Sequence, residues 1–195
     1  MFIPWVTSLL FAVFVGGVPF VRLAFLAAHM PVRQGYKNSP LTFWYEGHHM
    51  ASLLMAGCDL IKPALTFMAI SSYFHNDLIA FYAAFITALI SFYWKPYHLQ
   101  ISYSPLPFLG FFLVLSPVVG GFLLGGYILL LFFLRRVRTT FIILCFLAPC
   151  FIVLGASAQT PYLLGFIFPL IMLFHFRKNV MRLYLLEEAK LPPLL

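Results

Sequence analysis

The sequence predicts an all-α integral membrane protein, a helix bundle with about seven transmembrane helices. Hydrophobic residues make up 63% of the 195-residue chain, charged residues only 9%, and the mean hydropathy is +1.00. A soluble domain carries about a quarter charged residues. The apolar residues form continuous runs, whereas a transmembrane barrel shows alternating segments of roughly ten residues. Such runs can cross a bilayer only as helices, because every backbone polar group must be paired within its own segment.

Six apolar runs are long enough to form helices. They cover residues 2–28, 50–70, 78–94, 106–134, 140–154 and 162–174. The fourth run has about thirty residues, which is more than one ordinary span needs. It contains Pro117, a residue that ends or turns a helix. We therefore predict a break near Ser116 and Pro117, with a short fourth helix before it and a fifth helix that ends at Leu134.

The positions of the basic residues predict the orientation. With seven spans and the N-terminus outside, the inner segments are 29–49, 95–105, 135–139 and the tail 175–195, and they hold ten of the twelve Lys and Arg. This arrangement obeys the positive-inside rule and places the C-terminus in the cytoplasm. The net charge of +7 therefore reflects topology, and no nucleic-acid partner is expected. We expect residues 1–195 to form a single transmembrane domain.

Two charged residues lie inside the second predicted span. Asp59 and Lys62 are three residues apart, a spacing at which opposite charges on a helix can neutralise each other. Either they form a structural ion pair, or they extend a functional site into the bundle interior. The three cysteines lie in apolar runs without metal-ligand spacing, so no metal site is expected.

The inner segments carry the other candidate residues. In the first, Lys37, Asn38 and Ser39 follow a glycine, a combination that can cradle a phosphate or form an ordinary basic loop. In the second, His98 lies close to Lys95 and could serve as a general base or anion contact, although interfacial solvation of both explains them equally.

The tail carries a further polar pair, and it gives the clearest family resemblance. Asn179 and Arg182 share a helix face in a segment that also suits a basic helix end at the membrane surface. Residues 176–188 resemble the closing motif of the bacterial acyl-phosphate:glycerol-3-phosphate acyltransferases, approximately His-Arg-Glu-Asn-Ile-x-Arg-Leu-Leu-x-Gly-x-Glu. The matching residues are Arg177, Asn179, Arg182, Leu183 and Glu188.

Two further segments resemble that family, in the same order along the chain. Residues 15–18 (Val-Gly-Gly-Val) are similar to its Leu-Gly-Ser-Ile, and residues 58–63 (Cys-Asp-Leu-Ile-Lys-Pro) to its Leu-Asp-x-Leu-Lys-Gly. The resemblance implies a seven-span enzyme of phospholipid biosynthesis in the bacterial inner membrane. It implies that acyl phosphate and glycerol 3-phosphate are the substrates, in contact with membrane lipids, and that no cofactor is needed.

The resemblance also implies roles for individual residues. Asn179 and His98 would be catalytic. Lys37, Asn38, Ser39, Lys95 and Arg182 would bind substrate.

The departures from the family pattern concern the second inner segment. An ungapped alignment puts Ile90 and Ser91 where the family has Gly-His, and residues 100–104 where it has the glycine-rich loop Lys-Gly-Gly-Lys-Gly. An alternative to an active enzyme is therefore an inactive relative that binds lipid or helps assemble a complex with a membrane protein partner. A small carrier built around Asp59 and Lys62 is a third possibility, although no repeat symmetry supports it.

Overall fold

The computed structural model describes residues 2–18, 44, 47–93, 105–155 and 162–175, and in these ranges the chain forms seven α-helices and no strands. The helices are α1 (Phe2–Gly17), α2 (His49–Phe74), α3 (Asp77–Tyr93), α4 (Leu106–Leu115), α5 (Pro117–Leu134), α6 (Val137–Gly155) and α7 (Tyr162–His175). Among them, α2 and α5 are long and apolar enough to cross a membrane, judged by length and composition. The candidate residues Lys37, Asn38, Ser39, Lys95, His98, Asn179 and Arg182 lie outside the described residues.

The predicted break between the fourth and fifth helices is confirmed. Helix α4 ends at Leu115 and α5 begins at Pro117. Ser116 is the N-cap, and its side chain accepts a hydrogen bond from the backbone N–H of Val119 at 3.5 Å. Proline suits the first helical position because its missing N–H would have had no acceptor within the helix. The short α4 has ten residues and is about 15 Å long, half the thickness of the hydrocarbon core.

The chain divides into two compact units, residues 1–114 and 115–195. In the first unit, α1, α2 and α3 pack against one another. Their apolar core is a cluster of small and branched side chains, formed by Ala12, Ile70, Ile79, Ala80 and Ala83. The prediction of a single domain stays a prediction.

The turn between α2 and α3 is short and closed by three hydrogen bonds. His75 adopts the left-handed conformation (φ 50°) and donates its N–H to Ser71 O at 2.9 Å. Asn76 Oδ1 accepts the N–H of Ile79 at 3.1 Å, and Ser71 Oγ donates to Asp77 Oδ1 at 2.5 Å. The two helices therefore run antiparallel.

In the second unit, α6 packs against both α5 and α7. The buried face of α5 repeats at helical spacing, through Val119, Gly120, Leu123, Tyr127 and Leu131. Gly165 of α7 meets Ile152 near the far end of α6, which makes α6 and α7 antiparallel. The C-terminal end of α7 therefore lies at the same end of this unit as the turn between α5 and α6.

Candidate functional site

The charged residues of α2 form an ion pair inside the first unit. Lys62 Nζ lies 3.1 Å from Asp59 Oδ1, and the two residues are 4% and 8% exposed. A buried charge is tolerated only when it is paired, because desolvation of an isolated ion costs roughly several kcal/mol. Of the two alternatives predicted for this pair, the ion pair is the one whose geometry the structure describes.

The backbone of α2 next to the ion pair makes a close contact with α4. Pro63 has no N–H, so the carbonyl of Asp59, one turn earlier, lacks its usual helical donor. The next carbonyl, that of Leu60, faces α4 at Gly110, where an added Cβ would overlap the carbonyl oxygen. Only glycine allows the two backbones to approach this closely. Helix α4 therefore packs directly on the segment of α2 that holds the ion pair.

Two buried threonines continue the polar stripe away from the ion pair. Thr66 Oγ1 donates to the carbonyl of Lys62 at 3.1 Å, and Thr87 of α3 lies 3.0 Å from Thr66, oxygen to oxygen. Thr87 also lies 3.3 Å from the carbonyl of Ala12 in α1. Helices α1, α2 and α3 therefore meet through a line of hydrogen-bonded groups that begins at Asp59.

One turn further along α3, Ser91 Oγ donates to the carbonyl of Gly16 at 3.3 Å. Thr87 contacts Ala12, and Ser91, four residues later in α3, contacts Gly16, four residues later in α1. Helices α1 and α3 therefore run parallel. The C-terminal ends of both helices, and the N-terminal end of the antiparallel α2, consequently lie at one end of the first unit.

This topology bears on the candidate residues outside the described ranges. The segment with Lys37, Asn38 and Ser39 follows α1, and the segment with Lys95 and His98 follows α3. Both segments therefore begin at the same end of the first unit. In the second unit, the tail with Asn179 and Arg182 begins at the end that also holds the turn between α5 and α6.

Asp59 and Lys62 were predicted as polar residues of this region, whereas the roles of Thr66, Thr87 and Ser91 in helix packing were not. The spacing of these three residues in the sequence is nevertheless typical of a polar stripe along a helix face. Thr66 lies one turn beyond Lys62 on the same face, and Thr87 and Ser91 are one turn apart in the mostly apolar C-terminal half of α3. Within the described ranges, no group of three His, Cys, Asp or Glu side chains could hold a metal ion.

Comparison with known proteins identifies the fold. No protein-family model and no curated protein matches the sequence. Two solved structures do match, and both are crystal structures of PlsY (YgiH), an integral membrane glycerol 3-phosphate acyltransferase. The lysophosphatidic acid form has a TM-score of 0.71 over 97% of this chain and 96% of that one, at 16% identity. The chain has the PlsY fold.

The glycerol 3-phosphate form of PlsY matches similarly, with a TM-score of 0.68, 16% identity and coverage of 96% of each chain. The PlsY fold is an integral membrane helix bundle, which confirms the predicted fold class and makes this chain a multi-pass membrane protein. The predicted resemblance to the acyltransferase family is confirmed at the level of fold.

Proposed function

We propose that this protein transfers an acyl chain from acyl phosphate to glycerol 3-phosphate in phospholipid biosynthesis. The observation that carries the proposal is the match to PlsY, which extends over 97% of the chain at a TM-score of 0.71. A fold alone does not fix a function. Here the fold agrees with three sequence motifs of the same family, found in the same order along the chain.

The reaction needs little from the protein beyond positioning and proton transfer. The glycerol hydroxyl attacks the acyl carbonyl carbon, the bond from that carbon to the phosphate oxygen breaks, and phosphate leaves. Because acyl phosphate is already activated, the enzyme must hold two anionic substrates close together, remove one proton and stabilise the oxyanion. In our proposal, cationic groups hold the phosphates and a polar side chain orients the acceptor.

We assign these roles to residues of the inner segments. Lys37, Lys95 and Arg182 hold the anionic groups, Asn38 and Ser39 contact phosphate, and Asn179 positions the acceptor. Support comes from the parallel packing of α1 and α3, since the helices that precede the segments with Lys37 and Lys95 end on the same side.

The proposed base is His98. An ungapped alignment puts Ser91 where the family has its histidine, and the hydroxyl of Ser91 donates to Gly16 in the packing of α3 on α1. A serine bound in this way is not a base, because its proton is engaged and no stronger base lies beside it among the described contacts. His98 is the next histidine along the chain.

The same proposal includes an orientation and a location. The N-terminus faces outward and the C-terminus lies in the cytoplasm, which places ten of the twelve Lys and Arg on the inner side. The bacterial inner membrane is the corresponding location. Labelling of single introduced cysteines with an impermeant reagent in intact cells tests this orientation.

Activity is tested with purified protein, a labelled acyl phosphate and glycerol 3-phosphate. We expect turnover by the wild type, and a loss of roughly 10²–10⁴-fold in kcat for His98→Asn, the range that a general base supplies. His75→Asn is the matched control, because His75 is exposed in a left-handed turn that asparagine also tolerates. Absence of turnover from folded wild type would refute the proposed activity, and equal rates for the two variants would refute the assignment of His98.

A further inference from the structure

The start of α6, together with the turn before it, holds two polar atoms that are buried without a partner. They are Nε of Arg136 and Oγ1 of Thr140. Buried polar atoms in native proteins nearly always have a hydrogen-bond partner, so each exception needs an explanation. In the described part of the chain, only one other side-chain atom shares this property, Oγ of Ser8 in α1.

The two atoms belong to one structural feature. Thr140 donates its backbone N–H to the carbonyl of Arg136 at 3.0 Å, so Thr140 lies one helical turn after Arg136. Side chains on a helix lean towards its N-terminus. The side chain of Thr140, a residue that is 0% exposed, therefore lies on the same side of the helix start as Arg136, one turn away.

The electrostatics of this turn favour a negative charge. Helix α6 has 19 residues and no acidic residue in its first turn. The backbone N–H groups at the start of a helix have no acceptor within it, and they carry the positive end of the helix dipole. Arg136 precedes the helix and adds a permanent positive charge, but its guanidinium cannot accept a hydrogen bond from these groups. The two side-chain atoms without a partner and the free N–H groups at the helix start are thus hydrogen-bond donors or can act as donors.

We propose that the start of α6 binds a phosphate group, through Arg136 Nε and Thr140 Oγ1. A phosphate offers several acceptor oxygens in a tetrahedral arrangement, so separate oxygens can accept from a guanidinium, a hydroxyl and a helix N-terminus. The phosphate can belong to a lipid headgroup, because the turn joins two apolar helices, or it can be a free phosphate. This site lies within the second unit and does not depend on the proposed acyl transfer.

Arg135 provides the natural contrast. It is exposed, adopts the left-handed conformation (φ 53°), and ends α5 by donating its backbone N–H to Leu131 O at 2.9 Å. Arg135 and Arg136 therefore have the same charge and adjacent positions, but only Arg136 has a buried nitrogen atom without a partner. Non-specific attraction of anions would depend on both arginines, whereas the proposed site depends on Arg136.

The test measures thermal unfolding of the full-length protein in maltoside micelles, which contain no phosphate. In one arm, inorganic phosphate is titrated against chloride at equal ionic strength. In the other, phosphatidic acid is mixed into the micelles. We expect Tm of the wild type to rise in at least one arm, and the arm identifies the source of the phosphate. Arg136→Gln and Thr140→Val should each weaken the apparent affinity about ten-fold, the value of one charge-assisted hydrogen bond, while Arg135→Gln should leave it unchanged.

A second measurement, Tm without ligand, distinguishes loss of the phosphate site from a general loss of stability. Thr140→Val replaces a buried, unpaired hydroxyl with a methyl group of similar size, so Tm without ligand should equal or exceed that of the wild type. Ser8→Ala removes the other unpaired hydroxyl and should leave the phosphate response unchanged. The proposal is wrong if the wild type responds in neither arm, or if Thr140→Val keeps the full response.

Discussion

Ser91 of α3 donates its hydroxyl to the carbonyl oxygen of Gly16 in α1 across 3.3 Å. Together with the contact between Thr87 and Ala12, it fixes the register of two parallel helices whose next segments carry most of the candidate substrate contacts. The position at which the acyltransferase family has a histidine is thus part of a helix contact in this protein. The proposed chemistry must therefore use a base from another position.

The two hydroxyl groups should contribute unequally to stability. Thr87→Val removes a hydroxyl that is 0% exposed and contacts both Thr66 and Ala12, whereas Ser91 is only half-buried. We expect a loss of roughly 1–3 kcal/mol for Thr87→Val, because the change removes two buried contacts worth about 0.5–1.5 kcal/mol each, and about 0.6 kcal/mol for Ser91→Ala, the average of interhelical hydrogen bonds in membranes. Denaturation in mixed micelles with increasing SDS measures both. Equal effects would show that burial does not determine the contribution.

A second prediction concerns the adjacent glycines of α1. A Cβ on Gly16 would lie 2.9 Å from Ile90 Cβ and from the carbonyl oxygen of Thr87, while a Cβ on Gly17 would meet nothing within 4 Å. We expect Gly16→Ala to separate α1 from α3 and to cost roughly 1–3 kcal/mol, as overpacking does. Gly17→Ala is the control and should be neutral or slightly stabilising. The same SDS titration applies, and a neutral Gly16→Ala would contradict the close packing of the two helices.

These contacts also mark the boundary of what the sequence could predict. The seven helices, the break before Pro117 and the fold class follow from hydrophobic runs and from the chemistry of proline and serine at a helix start, which are local properties. The pairing of α1 with α3 is not local. It depends on a small side chain at Ala12 and none at Gly16, facing two hydroxyls 75 residues away. A single sequence gives no sign that these positions meet.

The candidate site divides in a similar way. The ion pair of Asp59 and Lys62 could be predicted from the sequence, because their spacing along one helix brings the two charges together. The close approach of Gly110 to Leu60 could not be predicted, since glycine in an apolar run also serves turns and helix ends. The roles of Asn179, His98 and the inner lysines depend on segments outside the described residues, and these roles remain predictions.

The contact between α4 and α2 gives a third prediction. Gly110→Ala places a methyl group against the carbonyl oxygen of Leu60, beside the ion pair, and the backbone must move to admit it. We expect a loss of roughly 1–3 kcal/mol from overpacking. Gly57→Ala lies on α2 in open space and should gain up to about 1 kcal/mol from helix propensity. If both alanines behave alike in SDS titration, α4 does not pack on α2 in the membrane protein.

The ion pair allows a test in which the single and double changes have opposite consequences. Lys62→Met leaves the Asp59 carboxylate buried beside an apolar side chain, and we expect a loss of roughly 3–5 kcal/mol, the cost of breaking a buried pair. Asp59→Leu leaves the ammonium group in the same position and should cost a similar amount. The double variant Asp59→Leu, Lys62→Met removes both charges, so its stability should return close to that of the wild type. Leu65→Met, at an exposed position of α2, controls for the general effect of substitution in this helix.

This double-mutant cycle also separates structure from function. If the pair serves only the packing of α2, the double variant should be stable and should turn over acyl phosphate at the wild-type rate. If the pair takes part in the proposed reaction, the double variant should be stable but impaired, with a lower kcat at unchanged Tm. Additive losses, with the double variant less stable than either single variant, would contradict the 3.1 Å contact itself, because independent side chains do not compensate for each other.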